Sequence, residues 1–200
     1  MTPRRFALTW DYRCPYARIA HDHVVTALEG GAPWEVRFLP FSLAQAHVED
    51  DDPDVWDEPD RDTGLLALRV GVAVRDQWPS AFLEVHRGLF DLRHVHAGDL
   101  RDRDAIAKVL VDAGLDADEV LGEAASARSL ATVKAEHTEF VASHKVWGVP
   151  TFIVEDRAVF VRLLDGPRGD AAFAQTSIER VLDEIDWPLL NEFKHTSIPR

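Results

Sequence analysis

Hydrophobic spacing alternates between strand and helix periods near both ends of the chain, and the stretch between them is helical throughout. Residues 6-FALTW-10 form a short apolar run of strand length. Tyr16, Ile19, Ala20, Val24, Ala27 and Leu28 then fall at helical spacing. Pro15 suits the first helical position, where a missing N–H costs nothing. Gly30-Gly31 stops that helix, and 34-WEVRFLPF-41 returns as a strand. The segment therefore opens as βαβ.

From about residue 63 to 146 only helical patterns occur. Residues 64-GLLALRVGVAVRDQW-78 end at Pro79, and the next helix carries Phe82, Val85, Leu89 and Phe90 on one face. A third runs through Ile106, Val109, Leu110 and Ala113 and stops at Gly114. Asp116 is placed to cap a short helix holding Val120 and Leu121. The longest spans about 126 to 145, with Leu130, Val133, Phe140 and Val141 as its apolar face. Beyond it, 151-TFIV-154 and 158-AVFVRLL-164 flank the turn 155-EDR-157 and predict an antiparallel hairpin. After 166-GPRGD-170, Asp170 is placed to cap a helix facing inward through Ile178, Val181, Leu182 and Ile185. The tail 187-WPLLNEFKHTSIPR-200 is expected to be extended and to pack back on the body.

The order βαβ, helices, ββα predicts an α/β protein: one sheet domain split in sequence, 1–44 and 147–200, with a helical domain inserted over 45–146. At 200 residues and 46% hydrophobic content the chain can bury a proper core. No apolar run reaches the length of a membrane span, and the apolar stretch at the N-terminus is too short for a signal peptide. A single cysteine excludes a disulfide within the sequence and fits a reducing, cytoplasmic compartment.

The net charge is -13, of which 49-EDDDPDVWDEPDRD-62 supplies -8. Such a chain repels phosphate backbones, so nucleic acid is not an expected partner. The acidic run reads as a solvated loop, since its spacing lacks the glycine and closing glutamate of a calcium-binding EF-hand. Trp56 is the exception within it, a ring able to pin the loop over a groove.

The chemistry centres on Cys14, at the change from strand to helix. Unpaired N–H groups at a helix start favour an anion, so the position is expected to depress the thiol pKa. Arg13 pushes the same way and Asp11 the other. His21 is seven residues on, about 10 Å along a helix, so a Cys-His dyad would need a histidine from the inserted helices. The competing reading is a small buried hydrophobe. The second motif is 147-WGVPTFIV-154, where Pro150 precedes an apolar strand and the Val149–Pro150 bond is of the type that can be cis.

Together, 14-CPY-16 and 149-VPT-151, in this element order, resemble the DsbA-like thioredoxin-fold proteins over essentially the whole chain. The pieces 11-DYRCPY-16, 107-AKVLVDAGLDAD-118, 148-GVPT-151, 167-PRG-169 and 192-EFKHT-196 are similar to a cytosolic, mycothiol-dependent branch that includes nitroreductase-type members. The resemblance implies that Cys14 is the attacking thiol, within the motif Pro15, Tyr16 and Ala17. It implies that Trp147, Val149, Pro150 and Thr151 form the facing cis-proline loop, with the Val149 backbone offered to the incoming partner. The departure is Ala17, where two-cysteine members carry a second cysteine. Kappa-class glutathione transferases and 2-hydroxychromene-2-carboxylate isomerases share the fold and carry a single active residue, a serine, before Pro-Tyr.

A lone thiol can form a mixed disulfide but needs a second, small thiol to resolve it. The implied cosubstrate is mycothiol or glutathione, acting with a small electrophilic or disulfide substrate and without a tightly bound cofactor. No Rossmann-type glycine fingerprint is present, so the electrons would come from the small thiol. Two alternatives stay open: a kappa-like transferase or isomerase in which Cys14 orients a bound thiol, and a non-catalytic binding module. The related families favour a homodimer. Trp10, Tyr16 and Trp147 are candidate walls of the thiol groove or else core. Asp11 and Arg13 flank the thiol as candidate contacts. Asp165, Gly166 and Arg168, in 165-DGPRGD-170, could receive a carboxylate or sugar hydroxyls, or form a plain loop. His137 and His144, with His94 and His96, could set an acid/base group over Cys14 or lie in a packing face; no metal site is expected.

Overall fold

A computed structural model describes residues 3–49 and 51–190. Four strands form one mixed sheet in the order β2-β1-β3-β4: β1 Arg4–Trp10, β2 Trp34–Pro40, β3 Thr151–Val154 and β4 Arg157–Phe160. β1 and β2 run parallel, with Arg4 opposite Trp34 and Trp10 opposite Pro40. They are joined by helix α1, Pro15–Glu29, as a parallel pair requires. β3 is antiparallel to β1, Leu8 facing Phe152, and to β4, Thr151 facing Phe160. β1 is central and its last five residues, Phe6 to Trp10, are all buried, which is why its apolar run does not alternate.

Between β2 and β3, the described residues form five α-helices: α2 Leu65–Gln77, α3 Phe82–His94, α4 Arg103–Asp112, α5 Ala117–Ala124 and α6 Ala127–His144. α7, Ala171–Asp186, closes the fold and packs on α1. The capping side chains sit where the residue types predict. Asp116 and Asp170 accept from the N–H groups of Glu119 and Phe173, and Ser126 accepts from Ser129. No helix among the described residues is long and apolar enough to cross a membrane.

Three expectations shift. β4 ends at Phe160 rather than 164, because its partner strand begins only at Thr151 and Pro150 has no N–H to extend the ladder; the Pro150 carbonyl still accepts from Val161 N. On α6 the buried face is Ser129, Val133, His137 and Phe140, while Val141 turns to solvent. The acidic loop is anchored at several points. Trp56 is buried edge-on to His137 at 5.6 Å, Gln45 bonds Asp54 and the Val55 N–H, and Asp62 is buried. Of the tail, 187–190 carries the exposed Trp187 and Leu189; the expected packing of the remainder lies outside the described residues. The inserted helices and the sheet share one buried cluster, joined where Tyr12 and Trp10 meet Phe90 and His86 of α3.

Candidate active site

Cys14 is the N-cap of α1, its backbone extended at φ -88°, ψ 117°. The Ala17 N–H points at its sulfur at 3.4 Å, and the thiol donates to the Val149 carbonyl at 3.3 Å. One atom therefore bridges the helix start and the proline loop, 135 residues apart in sequence. That loop is stapled to β1 by two hydroxyls. Thr9 Oγ1 accepts from the Thr151 N–H at 2.9 Å and donates to the Gly148 carbonyl, and Thr151 Oγ1 donates to the same carbonyl at 2.7 Å. The Val149–Pro150 peptide bond is cis.

The charge on the sulfur is set by opposed effects. Burial pushes the Cys14 thiol up; the Ala17 and Tyr16 N–H groups pull it down; the Asp11 charge pushes it up and that of Arg162 pulls it down. The net direction is upward, contrary to the depressed pKa expected from the helix start alone. Cys14 is only 9% exposed, so the desolvation its sulfur suffers outweighs the two N–H groups that face it. The resting group is a thiol, as its hydrogen bond to a carbonyl requires.

Asp11 and Arg13 spend their polar groups on other parts of the protein. The Asp11 carboxylate is fully buried and accepts from the Leu43 N–H, the Arg13 N–H and the Arg13 guanidinium. The other arm of the guanidinium reaches buried Asp62 and Thr63. Gly64 makes room for this: a β-carbon there would stand 2.7 Å from Arg13 Nε. The first half of the sheet is thereby clamped to the end of the acidic loop just beside Cys14.

The sequence profile of the DSBA-like thioredoxin domain matches residues 8–168. The chain belongs to that family. A probable DsbA oxidoreductase from Streptomyces coelicolor superposes with a TM-score of 0.61 at 18% identity, covering 96% of this chain and 93% of that one. A periplasmic thioredoxin-like protein from Salmonella enterica gives 0.60 at 18% identity, covering 92% and 84%. A thioredoxin-like oxidoreductase from Silicibacter pomeroyi gives 0.57 at 18% identity, covering 90% and 86%. No curated protein matches. At these identities the solved structures establish the fold; the profile establishes the family.

Around this DSBA-like site the expected contributors differ in burial and in what they touch. Trp10 is wholly buried against His86 and Phe82 and lines no groove. Trp147 is 66% exposed and packs on Phe160, the rings tilted by 34° with centroids 4.6 Å apart. Pro15 is exposed, Tyr16 half-buried and Ala17 fully buried. The loop of Asp165, Gly166 and Arg168 is held farther along α1. The Asp165 carbonyl bonds His23, nine residues along α1 from Cys14 and about 13 Å at helical rise. Arg168 is held by Asp165 itself.

No histidine ring among the described residues hydrogen-bonds the thiol; His94 reaches the Tyr12 carbonyl at 2.8 Å instead. His137 is buried between Phe41 and Trp56, and its Nδ1 accepts from the Ser42 N–H. Burial lowers it to about 4. Unforeseen was a buried chain in which every proton is fixed by one carbonyl. The Thr9 carbonyl must accept from His21 Nε2 at 3.0 Å, so His21 Nδ1 accepts from His86 Nε2 at 2.9 Å. His86 Nδ1 in turn accepts from the Tyr12 hydroxyl at 2.8 Å. Gly71 on α2 is required here, since a β-carbon would lie 2.4 Å from that hydroxyl. Burial lowers His21 to about 4 and His86 well below its ordinary value.

These neutral histidines should make the fold acid-labile. Each gives a site whose folded pKa is depressed, so the unfolded chain binds more protons as pH falls below about 6.5, and stability is lost between there and about 4. By pH 5, His21 and His137 should each contribute a loss on the order of 2 kcal/mol relative to pH 7. Urea unfolding at the two pH values should show the midpoint falling. An unchanged midpoint would show that these rings are protonated in the folded state.

Proposed function

We propose that this protein is a one-cysteine thiol–disulfide oxidoreductase in which Cys14 forms a mixed disulfide with a low-molecular-weight thiol, mycothiol or glutathione. The observation that carries this reading is the meeting of the single sulfur with the Val149 carbonyl across the two halves of a DSBA-like fold. The Cys14 thiolate attacks one sulfur of a disulfide R′S–SR, forming Cys14–S–S–R and releasing R′S⁻, which takes up a proton. A molecule of RSH, as its thiolate, then attacks the R sulfur, forming RSSR and returning the Cys14 thiolate. The net reaction reduces R′SSR at the expense of RSH, so the small thiol supplies the electrons and no resident cofactor is needed. Ala17, buried where a second thiol would stand, leaves the resolving step to that cosubstrate. A lone thiol working this way suits a reducing cytoplasm.

Because the resting thiol is protonated, exchange should be slow at neutral pH and accelerate as pH rises past the ordinary thiol range. Incubation with oxidised glutathione at pH 8.5 should add one glutathionyl mass to the folded protein, and Cys14→Ser should add none. Failure of the wild-type protein to gain the mass of the small thiol from either oxidised glutathione or oxidised mycothiol would remove the reading.

The protonated thiol also favours a second reading. An S–H that donates to a carbonyl could donate instead to a bound thiolate, orienting it as the nucleophile of a transferase. Cys14→Ser keeps a donor there, so conjugating activity that survives this substitution, without any adduct on the wild type, would select this alternative.

A further inference from the structure

Just beyond the last strand, Arg162 reaches the first turn of α1. The Arg162 guanidinium stands 4.6 Å over the ring of Tyr16 and 5.2 Å over that of Phe160, and Phe160 also carries exposed Trp147. The result is a shelf of three rings from three places in the sequence, with one cation seated in it. Tyr16 is two residues from Cys14 and Trp147 two residues from Val149, so the shelf borders both halves of the thiol site. Arg162 is exposed and, among the described residues, has no carboxylate partner. Elsewhere around α1 the cations are neutralised: Arg13 by Asp11 and Asp62, Arg18 by Asp91, Arg87 by Glu29. In a chain of net charge -13, an arginine left to aromatic rings beside the reactive sulfur keeps its hydrogen-bonding fork for something outside the protein.

We propose that Arg162, held on Tyr16 and Phe160, is the specificity residue of the Cys14 site and selects a thiol or disulfide partner carrying a carboxylate near its sulfur. The inference rests on reading Cys14 as an exchanging thiol and narrows its cosubstrate. Glutathione carries free carboxylates. Mycothiol, whose cysteine carboxyl is tied to a sugar as an amide, is uncharged. The anionic class fits the shelf. The same charge is one of the influences that pull the thiol pKa down, so its field reaches the sulfur.

Two aromatic disulfides separate charge from reactivity: the dianion dithiobis(nitrobenzoate) and uncharged dithiodipyridine. Their second-order rates with Cys14 should be measured at low ionic strength for the wild type, Arg162→Gln and Arg162→Lys. Any change in thiol pKa acts on both probes alike, so the ratio of rates reports recognition. Arg162→Gln should lower the anionic-to-neutral ratio about fivefold, the scale of one close charge pair near water. Arg162→Lys should keep most of it, and added salt should erase the difference. An unchanged ratio, with dithiodipyridine still reacting, would overturn the role of Arg162 and leave the exchange reading standing. Reaction with neither probe in the folded protein would overturn both.

Discussion

Replacing Arg13 by methionine should cost about 3–5 kcal/mol, the range for removing one partner of a buried ion pair. Asp11 is wholly buried and Asp62 nearly so, and the guanidinium spans both. Without it two carboxylates face each other's field in a region closed to water, within a fold whose total stability is of the usual order, roughly 5–15 kcal/mol. Lysine should recover less than half, because a single ammonium cannot reproduce the fork that reaches Asp11 with one arm and Asp62 with the other. Urea unfolding gives the answer directly. A loss below about 1 kcal/mol would show that the carboxylates find water once the arginine is gone. There is a functional corollary. Asp11 already pushes the Cys14 pKa up, so an uncompensated Asp11 should slow alkylation of the surviving folded protein.

The part of the molecule written locally was legible from the sequence. Cys14 and Pro15 announce a helix start, and Asp116 and Asp170 announce two more, because caps are decided by neighbours a few residues away. The two sheet halves and the helical insertion followed from the same kind of evidence. What failed was the environment of each side chain. A helix start does favour an anion, but how far burial opposes it depends on Val149 and its loop, arriving from the other end of the chain. Arg13 sits next to a cysteine and invites a reading as an activator, whereas its charge is consumed by Asp11 and Asp62, the latter 49 residues away. Two signals were present and unread. His86 lies four residues from both Phe82 and Phe90, inside the buried stripe of its helix, which marks it as a core histidine in need of partners. Phe160 and Arg162 are two apart near the end of a strand, the spacing that puts two side chains on one face.

Ala17→Cys should convert the adduct-forming protein into one that does not hold an adduct. Cys14 and residue 17 are separated by the first turn of α1, and the Ala17 N–H already lies 3.4 Å from the sulfur. Residues so spaced fall within the separation a disulfide can span. Once Cys14 has taken up a glutathionyl group, a thiolate introduced at position 17 can attack the Cys14 sulfur. That attack closes a disulfide between Cys14 and the new cysteine and expels glutathione, so the protein ends two hydrogens lighter rather than one glutathionyl heavier. The intramolecular thiol acts at an effective concentration of at least millimolar order, which outcompetes a dilute external one. Position 17 is fully buried, so the added sulfur should cost the reduced form about 1–3 kcal/mol through overpacking, part of which the closed disulfide offsets. Intact mass after equal exposure to oxidised glutathione should show adduct occupancy falling at least about tenfold from wild type. Persistence of the adduct on a folded Ala17→Cys protein would mean that Cys14 in its mixed disulfide faces away from the helix, and that the alanine does not account for the dependence on a second small thiol.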